Sequence, residues 1–328
     1  MRVFVTHNPE DLDAYFGRSL PRLEQMVDVV VNPTDHDLST PDLIAASAGC
    51  QVVIAHRSTP GEPALFEQNP DLVAMFRCAI DVSTIDLDAA SANGVLVGNA
   101  DKSFIASTAE LALGLALDVA RNISSSTVDY RNGIEPGQRA GWQLGGSTAG
   151  IIGYGDIARH LAGMLTAIGM RVLVHDLHPV DDPTVESVPM ETLLQTSDVV
   201  FPLVPGGAAT THLIGPDELA MLPPGAALVN VSRGEVLDEA AVLAALESGH
   251  LGGLGMDVGQ APDQRPSPDL AAHPRSVATP HLGGLTPANA DAQAASAVDQ
   301  VEAILAGAMP PRSLNPDDAT RLRAWWAR

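Results

Sequence analysis

Residues 150–158 read Gly150-Ile151-Ile152-Gly153-Tyr154-Gly155-Asp156-Ile157-Ala158. An apolar run enters the first glycine of a G-x-G-x-x-A pattern, and a helical pattern, Ala158–Gly169, leaves it. In the dinucleotide-binding turn the first glycine permits the tight bend. The second lets the backbone approach a pyrophosphate, and a small third residue keeps helix and strand close. Asp156 and Ile157 then open a helix whose free N–H groups and positive dipole end face the phosphates. A lone glycine pattern is weak evidence, but here the next apolar run, Arg171–His175, ends in Asp176. That is the spacing at which an acid accepts hydrogen bonds from the ribose hydroxyls. A carboxylate there repels a 2′-phosphate, and no Arg follows it, so NAD is expected over NADP. His175 and His178 flank Asp176 without a ligand-spaced partner set. They are read as loop histidines, and no metal is expected.

Outward from this turn, short β-branched runs alternate with longer helical stretches. After Trp142 the runs are Ala149–Ile152, Arg171–His175, Val199–Leu203, Ala227–Val231, Leu254–Val258 and Val277–Thr279. Before it they are Val3–Val5, Val27–Val31, Val52–Ala55 and Leu72–Phe76. Alternation of this kind predicts α/β architecture with parallel sheets buried on both faces. Ile105–Arg121 and the Ala-rich Pro287–Ala306 read as long helices able to join two lobes. The loop around Gly133–Gly141 is the expected flexible connection. Trp325 and Trp326 are expected to pack on the chain's own surface or on a partner subunit.

The chain has 328 residues, enough for about two domains. Its 18 Lys plus Arg stand against 40 Asp plus Glu, a formal charge of −22. That balance argues against nucleic acid and against an anionic membrane surface, both of which need basic patches. The first residues lack a basic segment followed by an apolar one, and no apolar run reaches membrane-spanning length, so a cytoplasmic location is expected. Cys50 and Cys78 form no CxxC or disulfide pattern and are read as core residues.

Two further segments follow strand runs: Val229-Asn230-Val231-Ser232-Arg233-Gly234 and Thr279-Pro280-His281-Leu282-Gly283-Gly284-Leu285-Thr286. Ligands sit at the carboxyl ends of strands in open α/β sheets. An Arg and a His arriving there are candidates for anion binding and proton transfer. Together with Gly150–Ala158, Asp176, Pro202-Leu203-Val204-Pro205 and Asp257-Val258, these segments make the chain resemble the D-isomer-specific 2-hydroxyacid dehydrogenase family, near its phosphoglycerate dehydrogenase-like branch. The likeness extends through Ile85–Ala90, Gly94–Asn99 and Ala109-Glu110 and covers nearly the whole chain.

The resemblance implies two Rossmann-like, doubly wound parallel-sheet lobes with a cleft between them. A flavodoxin-like substrate lobe would span residues 1–98, completed by 290–328, and an NAD-binding lobe residues 99–289. It implies Arg233 as the substrate arginine and His281 as the acid/base. Asp257 would lie near the nicotinamide amide, and Thr210 would close over the cofactor phosphates. Val204, Pro205, Val231, Ser232 and Gly283 would line the cofactor, and a homodimer would form through the cofactor lobe. The chemistry agrees. A planar guanidinium suits a 2-keto acid's carboxylate, and a histidine suits reversible protonation of the carbonyl oxygen.

The sequence departs from the family pattern at the rim, through a short Trp142–Gly146 loop and a small insertion at Gly206–Ala209, and in two places that bear on the chemistry. The family's glutamate beside the histidine falls by count on Pro262, so Asp263, one residue later, is expected to hold His281 protonated, with Asp269 as fallback. Ala79 and Asp81 stand where glycines usually approach the substrate. Asp81 either faces inward, against an extra substrate group, or points outward with no role. Arg57 and Ser58, after a strand run, resemble the substrate-facing segment. Arg57 and Arg77 either hold a phosphate or are surface or interdomain charges. The expected function is NAD-dependent interconversion of a small D-2-hydroxy acid and its keto acid. The rivals are a glyoxylate- or hydroxypyruvate-type reductase and an NAD(H)-sensing corepressor-like protein.

Overall fold

A computed structural model describes residues Met1–Arg328, which divide into two compact units. Unit 1 comprises Met1–Ser103 and Pro287–Arg328, and unit 2 comprises Phe104–Thr286. No helix is long and apolar enough to cross a membrane.

Unit 1 holds five parallel strands: β1 (Arg2–Val5), β2 (Asp28–Val31), β3 (Val52–Ala55), β4 (Ala74–Arg77) and β5 (Leu96–Gly98). Their order is β2-β1-β3-β4-β5, the flavodoxin-like arrangement. Strand side chains alternate between faces. Val3, Val5, Val52, Ile54 and Phe76 pack on one face against Ala294, Ala297, Val298, Val301 and Ile304 of the helix Pro287–Leu305. Phe4, Val53, Met75 and Val97 pack on the other against Leu43, Leu65 and Phe66. Each of the Val, Ile, Leu, Met and Phe side chains among them contributes about 1.5–3 kcal/mol when fully buried. Trp325 and Trp326 close the first of these cores, and the Trp326 indole N–H donates to the Ile304 carbonyl at 2.8 Å.

Unit 2 holds seven parallel strands: β6 (Thr148–Ile152), β7 (Arg171–His175), β8 (Glu186–Ser187), β9 (Val199–Pro202), β10 (Ala227–Asn230), β11 (Gly253–Met256) and β12 (Ser276–Ala278). The order β12-β11-β10-β9-β6-β7-β8 reverses between β6 and β9, as in dinucleotide-binding sheets. The helices Ile105–Arg121 and Asp156–Ala167 cover one face through Leu115, Ala116, Leu161 and Leu165. Leu193, Leu219, Val242 and Leu246 cover the other. β5 and β8 were not among the expected apolar runs. β8 consists of two exposed polar residues and exists only by pairing with β7. Asn122, left-handed at φ 53°, ends the helix Ile105–Arg121 and starts another over Ile123–Arg131.

Candidate active site

The glycine turn leaves β6 at the strand-order reversal. Gly153 has φ +87°, and a Cβ there would meet the Leu203 carbonyl oxygen at 2.7 Å and Val204 Cγ1 at 2.9 Å. The turn therefore fits against the Leu203-Val204-Pro205 segment after β9 only as glycine. At Gly155 a Cβ would meet nothing within 4 Å, so the backbone there is open to an approaching group. No side chain caps the helix that Asp156 and Ile157 begin. Ala158 is buried at the helix–strand contact.

Asp176 accepts from the Tyr154 N–H at 2.6 Å and the His178 N–H at 2.7 Å. The His178 bond above all holds its carboxyl below the usual range, so it is an anionic acceptor at the end of β7. The Tyr154 side chain is tied down separately. Its hydroxyl donates to Asp182 at 2.7 Å, and the Arg159 guanidinium lies 4.6 Å from its ring centre. The open Gly155 backbone, the uncapped helix and the anionic Asp176 together fit a dinucleotide.

Three adjacent strand ends carry the remaining candidates. After β10, the buried Asn230 shapes the turn: its Oδ1 accepts from the Ser232 N–H and hydroxyl, and its Nδ2 donates to the Arg233 carbonyl. Val231 is buried below, and the Arg233 side chain is exposed. A Cβ on Gly234 would overlap the Gly259 carbonyl, so this turn packs backbone to backbone on the loop after β11. Gly259 donates in turn to the Gln264 carbonyl at 2.9 Å. The Arg233 turn is thereby tied to the loop that carries Asp263.

After β11 stands Asp257, 1% exposed. Its carboxylate accepts from the Thr279 hydroxyl at 2.6 Å, the Leu282 N–H at 2.6 Å and the Gly283 N–H at 2.7 Å. The expected place beside the cofactor amide is thus joined by a second task, since this carboxylate fixes the loop that presents His281. A Cβ on Gly283 would lie 3.0 Å from Asp257 Oδ2, so a side chain there would press on this network.

His281 sits at φ +62°, with its N–H shared between the Asp257 and Thr279 carbonyls. Its contact with Asp263 differs from the expected carboxylate pair. Nδ1 lies 3.1 Å from the Asp263 main-chain carbonyl oxygen, while the Asp263 carboxylate lies 3.8 Å from the Arg265 guanidinium. Asp263 and Gln264 are themselves left-handed, at φ 60° and 54°. That conformation turns the carbonyl, rather than the side chain, toward the ring. Asp269 begins a separate short helix.

The remaining candidates lie on loops of both units. The Thr210 hydroxyl donates to the Pro205 carbonyl at 2.7 Å, closing its own loop. In unit 1, Arg57 and Ser58 are exposed, and Ser58 Oγ lies 2.8 Å from His56 Nδ1. Asp81 is exposed and accepts from the Ser83 N–H and hydroxyl. Arg77 is fully buried and donates to the carbonyls of His56 and Thr59 and to the Thr84 hydroxyl. It anchors the loop around Arg57 and is no surface phosphate ligand. Burial pushes the Cys78 thiol up to about 12, which leaves no thiolate nucleophile near neutral pH. Sequence reasoning missed Asn230 and Thr279 as positioning residues. The Asn-x-Ser turn at Asn230 was the available signal for the first.

Residues 113–283 match the profile of the D-isomer specific 2-hydroxyacid dehydrogenase, NAD binding domain. The chain belongs to this family. It is an NAD-dependent D-2-hydroxyacid dehydrogenase, and unit 2 contains its NAD-binding domain. It is 34% identical over 250 residues to the (S)-sulfolactate dehydrogenase of Chromohalobacter salexigens, covering 74% of this chain and 81% of that one. It is 32% identical over 275 residues to the hydroxypyruvate reductase of Thermotoga maritima, covering 83% and 89%. Among solved structures, the TT0316 protein of Thermus thermophilus superposes with a TM-score of 0.83 at 30% identity, over 96% of this dehydrogenase and 100% of that chain.

Proposed function

We propose that this dehydrogenase interconverts a small D-2-hydroxy acid and its 2-keto acid, with Arg233 binding the substrate carboxylate and His281 moving the proton. The observation that carries the reading is the linkage of the two turns: Gly234 packs on Gly259, and the same loop places the Asp263 carbonyl on His281 Nδ1. NAD, when bound, exchanges a hydride with the substrate carbon. The uncapped helix at Asp156, the open backbone at Gly155 and the Asp176 carboxylate would hold it, with Tyr154, Ile157, Val204, Pro205, Thr210, Val231, Ser232, Asp257 and Gly283 around it.

A main-chain carbonyl only accepts hydrogen bonds, so the His281 Nδ1 carries a proton in this contact. That leaves Nε2 as the atom that gives a proton to the carbonyl oxygen or takes one from the alcohol. The exposed, forked guanidinium of Arg233 suits bidentate capture of a carboxylate. Asp263 thus acts on His281 as a positioning residue, through its backbone. Arg57 and Ser58 are the candidates for the rest of the substrate. Relatives named for sulfolactate and hydroxypyruvate make a three-carbon acid with a polar third carbon the favoured class.

A homodimer through unit 2 is part of the same reading. Ile123, Val128, Tyr130 and Ile134 are each more than half exposed, an apolar face that a second copy would cover.

The test is NADH oxidation against a panel of 2-keto acids that includes glyoxylate, hydroxypyruvate and sulfopyruvate. Turnover with at least one, giving the D-configured product where the product is chiral, supports the reading. Tight NADH binding with no turnover on any of them would favour a sensor role instead.

A further inference from the structure

The turn that carries Arg57 and Ser58 is held by one buried cation. Arg57 and Ser58 are its two exposed central residues, and the Thr59 N–H closes it on the His56 carbonyl at 3.0 Å. The fork of Arg77, at the end of β4, reaches both ends of this turn. One arm donates to the His56 carbonyl, the other to the Thr59 carbonyl at 2.9 Å and to the Thr84 hydroxyl. The Thr84 hydroxyl donates in turn to the same Thr59 carbonyl at 3.1 Å. Thr6, just after β1, completes the frame. Its Oγ1 accepts from the His56 N–H at 2.9 Å and lies 2.6 Å from Thr59 Oγ1. Thr6 and Thr59 are buried, which keeps water from competing for these bonds.

This is a costly way to hold a loop. Arg77 is fully buried, its Nε has no hydrogen-bond partner, and its other donors meet carbonyls and a hydroxyl rather than a carboxylate. Burial pushes its pKa down to about 10, and it stays charged at neutral pH. A buried ion is weak evidence for stability, because an apolar side chain of similar volume often serves as well. What a guanidinium adds is geometry, since its planar fork fixes two acceptors at once. The two acceptors here are the carbonyls that flank Arg57 and Ser58.

We propose that Arg77 is a positioning residue of the dehydrogenase reaction: through the His56 and Thr59 carbonyls it sets how the Arg57-Ser58 turn presents its side chains to the third carbon of the keto acid, and thereby the choice among keto acids. The proposal rests on the reading that Arg57 and Ser58 take the rest of the substrate. Glyoxylate has no third carbon, whereas hydroxypyruvate and sulfopyruvate carry a polar one, so the effect falls on their relative rates. Thr84, which bonds both Arg77 and Thr59, supports the same arrangement.

The test measures kcat and KM for glyoxylate and for the best keto acid with a third carbon in wild type, Arg57→Ala, Arg77→Met and the double variant. Hydrogen exchange across the 56–59 turn is followed on the same proteins. Arg77→Met should lower the kcat/KM ratio of the larger acid to glyoxylate at least ~10-fold, within the 10²-fold that a misplacement of about 1 Å costs. The change should come chiefly as a higher KM for the larger acid, with NADH affinity retained and faster exchange in the turn. The double variant should fall no further than the stronger single one, because residues acting as one unit are not additive. Thr84→Val, a volume-conserving change at an exposed position, should move the ratio and the exchange in the same direction by less, and it decides the matter if Arg77→Met does not fold. A ratio that falls in Arg57→Ala but holds in the Arg77 and Thr84 variants would overturn the proposal and leave the substrate reading standing. So would additive losses in the double variant, or exchange that does not change. A ratio unmoved by Arg57→Ala would overturn the substrate reading itself, and the proposal with it.

Discussion

The His281 Nδ1 lies 3.1 Å from the main-chain carbonyl oxygen of Asp263, and both residues are left-handed, at φ 62° and 60°. Left-handed backbone is uncommon outside glycine, and His, Asp and Asn are the residue types enriched there. Sparsely populated backbone persists where its surroundings over-determine it, and such positions cluster at functional sites. Here the surroundings are visible. Asp257 binds Thr279, Leu282 and Gly283 on one side, and Gly259 binds Gln264 on the other.

Asp257→Asn should act on His281 through the loop. Its amide can accept at one oxygen only, so at least one buried N–H or hydroxyl among its partners is left unmet, at about 1–3 kcal/mol. Urea denaturation should show that loss, and kcat for a good keto acid should fall more than the affinity for NADH. Unchanged stability would mean the buried carboxylate does not fix the loop.

The two glycines of the cofactor turn should respond oppositely. Gly153→Ala places a Cβ 2.7 Å from the Leu203 carbonyl oxygen at φ +87° and should destabilise unit 2 by about 1–3 kcal/mol. Gly155→Ala meets nothing in the protein, so Tm should hold while NADH affinity drops. Fluorescence titration and thermal melts on the same preparations separate the two effects.

Asp176 should decide the cofactor. Its carboxylate is held anionic by the His178 and Tyr154 N–H groups and repels a 2′-phosphate. Wild-type kcat/KM should be higher with NADH than with NADPH, and Asp176→Ala should narrow the gap by at least ~10-fold, about 1.4 kcal/mol. Equal use of both cofactors by the wild-type protein would remove Asp176 from this role.

Tyr154 supplies a pH signature. Burial, and then the bond to Asp182, pushes its hydroxyl up to about 12 from an ordinary value of 10. A folded-state value above the unfolded one means the folded protein holds the extra proton between about pH 10 and 12. The stabilisation is therefore complete below pH 10 and is lost as pH rises toward 12. Tyr154→Phe should lose less stability than wild type across that window. Of the three tyrosines, one should ionise late in the ultraviolet titration, and that component should vanish in the variant.

Much of this was legible in the sequence because it is local or periodic. The Gly153–Ala158 turn, Asp176 at a strand end and the apolar runs each depend on residues a few positions apart. The main-chain contact of Asp263 with His281 was not legible, for a physical reason. Every residue carries a carbonyl, so a main-chain acceptor leaves no mark in the side-chain sequence. Thr210 and Arg77 show the same limit. Their donors meet backbone carbonyls of Pro205, His56 and Thr59, which only folding brings into reach.

If His281 moves the proton through Nε2 while the Asp263 backbone holds Nδ1, the two side chains should differ sharply in what their loss costs. The most direct measurement compares kcat/KM for the best keto acid in wild type, His281→Asn and Asp263→Asn, with NADH affinity measured alongside. His281→Asn should lose about 10²- to 10⁴-fold, the range for general acid–base catalysis, with NADH affinity retained. Asp263→Asn keeps the carbonyl and a residue that tolerates left-handed backbone, so it should stay within a few-fold of wild type. Near-normal turnover in His281→Asn, or a loss in Asp263→Asn as large as that in His281→Asn, would contradict this assignment.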